Sequence, residues 1–188
     1  MLVLWLCLIA MTDYRRFHHP GATWFFTVNL VERHEKSLLV DRIDDLRAAF
    51  SYVKNRHPFE IDAVVILPDH LHCIWTLPET DTDFSTRWSL IKGYFSRHID
   101  KGEAITESRR KRRERGIWQR RFWEHMIRNE DDYRRHVDYI HWNPVKHGHS
   151  VRVSDWPHSS FHQFVDRGFY TGDWGGGGID LASEMVGE

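Results

Sequence analysis

A chain of 188 residues, 41% hydrophobic and 14% aromatic, is long enough to bury the core of one domain and short for two. Its two cysteines, Cys7 and Cys73, exclude a disulfide framework, and without a CxxC or Cys/His cluster they argue against structural zinc, a pattern that fits a reducing cytoplasm. The net charge of −1 hides an asymmetry: residues 87–128 hold thirteen Lys and Arg against five acids, an excess of eight positive charges that points to a polyanionic partner.

Residues 1–10 are apolar but too few to span a bilayer, and no basic segment precedes them as in a signal peptide. Met11 follows directly and is read as the natural start, with residues 1–10 coming from an upstream start; residues 1–11 are set apart as a non-native or accessory extension from a domain over residues 12–165. Residues 22–30 (ATWFFTVNL), rich in aromatic and β-branched side chains, read as a strand. Ile43, Leu46, Ala49, Phe50 and Val53 recur at helical spacing over residues 41–57, and Pro58 ends the pattern. Residues 61–67 and 70–77 read as strands joined at Pro68-Asp69 into a hairpin. The helical period resumes through Phe84, Trp88, Ile91, Phe95 and Ile99. Residues 101–115, polar and basic, read as a mobile loop, residues 118–127 as a strand, and Asn129 as the cap of a last helix with Glu130, Asp131 and Asp132 in its first turn. The order β-α-β-β-α-β-α predicts a ferredoxin-like α+β fold: an antiparallel sheet with helices on one face and one added C-terminal helix. Residues 166–188, with the glycine run after Trp174, read as a flexible tail.

Two features carry chemistry. His70 and His72 flank Leu71 in a strand, so both imidazoles share one face while Leu71 turns to the other. Two neutral imidazoles on one face suit a divalent metal. In the last helix, Tyr139 lies off the apolar stripe of Tyr133, Val137 and Ile140, and Asn143 follows one turn later. Pro144 places this pair at a helix end or break. If the helix end meets the histidine strand, two nitrogens and an amide oxygen surround a cation beside a phenol. A cation can polarise a phosphodiester, and it favours the phenolate of a group whose ordinary pKa is near ~10. Tyr133 and Tyr94 are competing nucleophiles, but Tyr133 shares the core stripe and Tyr94 lacks an amide one turn on. His141 and His147 lie near the pair, where a surface role competes with proton transfer. Trp118, Phe122 and Trp123 are candidates for base stacking or core packing. Arg109, Arg110, Lys111, Arg112, Arg113 and Arg115, with Arg120 and Arg121, are candidates for phosphate contact.

The run Pro68-Asp69-His70-Leu71-His72-Cys73-Ile74-Trp75 resembles the His-hydrophobic-His motif of the single-tyrosine HUH nucleases. Residues 118–125 (WQRRFWEH) and 139–148 (YIHWNPVKHG) resemble one branch of them, the transposases associated with repetitive extragenic palindromes (REPs), related to the IS200/IS605 transposases. Tyr14-Arg15-Arg16 and residues 21–28 (GATWFFTV) are similar to that branch too, and the likeness spans residues 12–165. The resemblance implies that His70 and His72 bind the metal, that Tyr139 is the nucleophile and that Asn143 is the third ligand, where the broader insertion-sequence enzymes carry a longer glutamine. It implies Mg²⁺ or Mn²⁺ dependence, cleavage of single-stranded DNA beside REP-like hairpins, a 5′-phosphotyrosine intermediate and a free 3′-OH. Tyr14, Arg15 and Arg16 become candidate DNA contacts. A bacterial cytoplasmic, nucleoid-associated enzyme is expected, with no membrane association and as a monomer or homodimer.

Two other classes compete. A domesticated hairpin-binding protein needs only the basic segment and no catalysis. A rolling-circle initiator or relaxase shares the chemistry but carries a second, larger domain that has no counterpart here. A histidine-triad nucleotide hydrolase needs a third alternating histidine, and position 74 is Ile.

Overall fold

The computed structural model describes residues 19–32, 37–103 and 105–175. Four strands, β1 (Thr23–Asn29), β2 (Glu60–Ile66), β3 (His70–Thr76) and β4 (Trp123–Met126), form one antiparallel sheet in the order β2-β3-β1-β4. This is the ferredoxin-like α+β arrangement that the element order predicts. The β2–β3 hairpin closes at Pro68-Asp69, where Leu67 N–H donates to His70 O at 2.9 Å and Leu30 N–H to Asp69 O at 2.8 Å. The turn is thereby tied to the end of β1, which fixes the start of β3 and the position of His70.

Strand alternation gives the sheet two different faces. On one, Phe26, Val28, Leu71, Cys73 and Trp75 form a core with α2 (Ile43–Lys54) and α3 (Phe84–His98). Trp75 and Trp88 stack there with ring centroids 4.2 Å apart, a contact worth about 0.5–1.5 kcal/mol beyond its buried area. Arg87 of α3 is buried but fully engaged: it donates to Asp81 Oδ2 and Asp83 O at 2.6 Å, Pro58 O at 2.7 Å and His57 O at 3.2 Å. On the other face, Phe25, Ala63, Val65 and Ile74 pack beneath α5 (Glu130–Lys146). His70 and His72 belong to this second face, as the alternation with Leu71 requires.

Several boundaries differ from expectation for identifiable reasons. The helix expected over 41–57 corresponds to α2, which starts after a break at Arg42 that separates it from the short α1 (Leu38–Asp41) before it. The strand expected over 118–127 narrows to β4: regular pairing with β1 stops at Trp123 and resumes only as an isolated bridge between Leu30 and Trp118, with Gln119 N–H donating to Asn29 O at 2.9 Å and its carbonyl accepting from Lys92 Nζ at 3.0 Å. Residues 101–115 are structured rather than a featureless loop. Thr106 caps α4 (Glu107–Lys111), and Arg113, at φ 59°, turns the chain so that Glu114 N–H reaches Arg109 O at 2.9 Å. Arg115 then donates to Ile99 O at 2.7 Å, Asp100 O at 2.8 Å and Glu103 Oε2 at 2.8 Å, closing the segment on the end of α3. Pro144 does not end α5, which runs on to Lys146. A proline in the last turn removes one N–H, while His147 N–H still bonds Asn143 O at 3.0 Å and both Asn143 and Pro144 are buried.

After α5 the chain returns along the outer edge of β2. Ile66 N–H donates to His158 O and Ser160 N–H to Val64 O, both at 2.8 Å, so the edge strand is covered. The short α6 (Phe161–Asp166) packs behind α5, and Tyr170 and Trp174 pack with Phe161. Among the described residues no helix is long and apolar enough to cross a membrane. Residues 1–18, including the expected start at Met11 and Tyr14, Arg15 and Arg16, lie outside the described residues.

Candidate active site

Asn129 begins α5 as expected, its side chain accepting from Asp132 N–H at 2.9 Å. The helix is buried along two stripes. One is apolar and contains Val137 and Ile140. The other contains Asp132, His136, Tyr139 and Asn143, polar groups at spacings of four, three and four residues, all buried. Tyr139 therefore lies off the apolar stripe, yet is only 3% exposed, because α5 is enclosed by the sheet on one side and α6 on the other.

This stripe brings Tyr139 to the histidines. Its ring centroid is 5.2 Å from that of His72, with planes at 71°, and His70 and His72 are 5.0 Å apart. Each imidazole is oriented through Nδ1: His72 pairs with Thr27 Oγ1 at 2.9 Å, and His70 with Asp69 Oδ1 at 2.6 Å. Such outer contacts fix the ring and make Nε2 the nitrogen suited to a metal. His70 Nε2 and both amide atoms of Asn143 are buried without a hydrogen-bond partner among the described residues. Buried polar atoms left unsatisfied are rare and call for a ligand. Two imidazole nitrogens and an amide oxygen are a donor set that fits a divalent cation. The helix end carrying Asn143 is packed on the histidines, since the His147 ring is 5.2 Å from His70.

A further residue enters here that sequence reasoning passed over. Lys146 Nζ donates to the Tyr139 hydroxyl at 3.3 Å, and the ammonium lies 4.9 Å from the tyrosine ring centroid. Positions 139 and 146 are two turns apart on one face, a spacing readable in principle had the helix been expected to continue past Pro144.

The competing residues lie elsewhere. Tyr133 is half-buried near Asp62, where desolvation pushes its phenol up to about 12. Tyr94 packs on Tyr52 and His98. His141 faces α6, not the histidine pair: its Nε2 meets Ser160 Oγ at 2.9 Å, and burial pushes the imidazole down to about 3. Trp118 is core, whereas Trp123 is 40% exposed on the same sheet face as His72. Arg110, Lys111, Arg112, Arg113, Arg120 and Arg121 are exposed. With Lys92 and Arg97 of α3, several of them line a groove of about 660 Å³. Arg109 is partly spent on Trp118 O at 3.2 Å, and Arg115 is committed to the contacts that close its own loop.

A ferredoxin-like sheet whose paired histidines face a helix-borne tyrosine is the architecture of a single-tyrosine HUH enzyme, and comparison with known proteins makes the class definite. Residues 26–143, ending at Asn143, match the family model described as IS200-like transposase. The chain is 51% identical over 173 residues to the REP-associated tyrosine transposase of Escherichia coli (strain K12), covering 92% of this chain and 96% of the relative. A relative from Haemophilus influenzae (strain ATCC 51907 / DSM 11121 / KW20 / Rd) is 46% identical over 167 residues, 88% of this chain and 94% of its own length. The solved structure of a REP-associated tyrosine transposase bound to a REP hairpin superposes with a TM-score of 0.75 at 47% identity, covering 94% of this chain and all of that one. The chain belongs to the IS200-like transposases and, within them, to the REP-associated tyrosine transposases.

Proposed function

We propose that this transposase is a metal-dependent endonuclease and strand transferase for single-stranded DNA flanking REP-like hairpins, with Tyr139 as nucleophile and His70, His72 and Asn143 as metal ligands. The observation that carries this reading is the approach of the Tyr139 ring to His72 at 5.2 Å with Lys146 on its hydroxyl. A divalent cation, Mg²⁺ or Mn²⁺, held by the three ligands would polarise a nonbridging oxygen of the scissile phosphate and hold it in line. Lys146 favours the phenolate by placing positive charge on the hydroxyl. The Tyr139 oxygen then bonds to phosphorus and the P–O3′ bond breaks. The product is a 5′-phosphotyrosine and a 3′-OH whose proton comes from solvent. Because the phosphodiester energy is kept in the tyrosine ester, attack by another 3′-OH reverses the step and joins strands without a nucleotide cofactor.

Arg112, Arg113 and Arg120, exposed along the α3 groove, and the exposed Arg110 and Arg121 supply phosphate contacts in this reading, with Tyr14, Arg15 and Arg16 as further candidate DNA contacts. The hairpin in the 47% identical neighbour supports the choice of substrate.

The test is incubation with hairpin oligonucleotides bearing single-stranded flanks, with Mn²⁺, with Mg²⁺, and with EDTA. Cleavage with a covalent protein–DNA species in either metal, absent in EDTA, is the expected result. Tight hairpin binding with no cleavage in either metal would favour the non-catalytic reading instead.

A further inference from the structure

The polar stripe of α5 continues beyond Tyr139 toward the N-terminus of the helix, where Asp132 and His136 meet His125 of β4. The ligand atoms of these three residues all lie within 4.8 Å of one another. His125 Nε2 is 2.9 Å from Asp132 Oδ2, and His136 Nδ1 is 3.2 Å from Asp132 Oδ1, so the carboxylate offers one oxygen to each imidazole. The two rings lie nearly parallel, 4.7 Å apart and 13° between planes. Phe25 closes the cluster on the sheet side, 4.7 Å from His136, and Trp123 stacks on His125 from outside at 5.8 Å.

The two carboxylate–imidazole separations are close to the edges of a coordination polyhedron, which measure about 3.0–3.4 Å when metal–ligand bonds are about 2.0–2.1 Å. We propose that His125, Asp132 and His136 bind a transition-metal cation of the Zn²⁺ class, at a site separate from His70 and His72. Two imidazoles and one carboxylate suit a borderline cation better than a hard one such as Mg²⁺. The protonation states agree with that geometry. Burial lowers the affinity of His136 for a proton and keeps it a neutral ligand. Burial opposes charge on Asp132, yet hydrogen bonds from His125 and the Arg128 N–H hold it as a carboxylate, below its ordinary value. His136 Nδ1 now donates to the Asp132 carbonyl at 2.8 Å. Coordination through Nδ1 moves the His136 proton to the opposite nitrogen of its ring. The bound ion clamps the edge strand β4 to the first turns of α5, the helix that carries Tyr139.

The experiment uses the untagged full chain, stripped with chelator and titrated with Co²⁺ followed by Zn²⁺ competition, read by visible ligand-field absorption and by thermal unfolding. In the His70→Ala/His72→Ala double variant the absorption persists, and Zn²⁺ still raises the unfolding temperature. Adding His125→Ala or Asp132→Asn to that background weakens Co²⁺ binding at least about tenfold. Loss of all signal in the double variant overturns the proposal, and so does signal that survives both added substitutions. If His125→Ala does not fold, Asp132→Asn, which keeps the carboxylate's shape, decides alone. An unfolding temperature of the double variant that Zn²⁺ leaves unchanged also overturns it.

Discussion

Lys146 Nζ lies 3.3 Å from the Tyr139 hydroxyl, two helical turns further along the same helix. An ammonium at that distance stabilises a phenolate, and in the proposed reaction its donor faces the oxygen that would attack phosphorus. Replacement Lys146→Met keeps the aliphatic stem over the ring and removes the charge. Adduct formation with a hairpin substrate is expected to slow by about 10- to 100-fold, with part of the rate restored as pH rises and solvent takes over deprotonation. An unchanged rate and pH profile would assign Lys146 to packing alone.

Asp69 holds His70 through a 2.6 Å contact to Nδ1. A carboxylate behind a ligating imidazole fixes its tautomer and raises its basicity, and its loss costs about 10- to 100-fold in metal affinity. Asp69→Asn is therefore expected to raise the Mn²⁺ concentration needed for half-maximal cleavage by that factor, while saturating Mn²⁺ restores most of the rate. Titration of cleavage against Mn²⁺ checks this.

The shared face of His70 and His72 and the Tyr139–Asn143 step are legible in the sequence because their periods are strict. Alternation around Leu71 is enough to put His70 and His72 on one face, and a four-residue step is enough to put Asn143 beside Tyr139. Lys146 was not legible while Pro144 was expected to end the helix, since the seven-residue relation exists only if α5 continues. The α4 turn escaped notice because it has no apolar period. It is held from outside, by the Thr106 cap and by Arg115 reaching back to α3. His125, Asp132 and His136 come from two elements, and they meet because the register sets His125 opposite Phe25, on the sheet face that α5 covers. Charge count likewise cannot separate Arg109 and Arg115, whose guanidiniums are half-buried and held by backbone carbonyls, from their exposed neighbours.

That last difference has two measurable consequences. Arg115→Ala leaves Glu103 and three backbone carbonyls without their donor and is expected to destabilise the fold by about 1–3 kcal/mol. Arg112→Ala, at an exposed position, is expected to change stability by less than about 0.5 kcal/mol. It should instead reduce the slope of log K against log salt for hairpin binding by about 0.7–0.9. Chemical denaturation and binding at several salt concentrations distinguish the two roles.

His141 provides a pH signature of the packing behind α5. Its folded-state pKa is about 3, pushed down by burial from an ordinary value of 6.5. Between those values the unfolded chain takes up a proton that the folded chain does not, so stability falls as pH drops through 6.5 toward 3, by up to about 1.4 kcal/mol per pH unit. Above the ordinary value both states are neutral and the effect vanishes. His141→Gln is expected to flatten the dependence of the urea midpoint on pH over this window. An equally steep dependence in the variant would place its origin elsewhere.

The central claim is tested most directly by finding the atom that carries DNA. The covalent species formed in Mn²⁺ is digested with nuclease and protease, and the modified peptide is sequenced by mass spectrometry. A 5′-linked nucleotide phosphate on Tyr139, with the species lost in Tyr139→Phe, is the predicted result. A phosphate on Tyr133, Tyr94 or any other residue, or an adduct that persists in Tyr139→Phe, would contradict it.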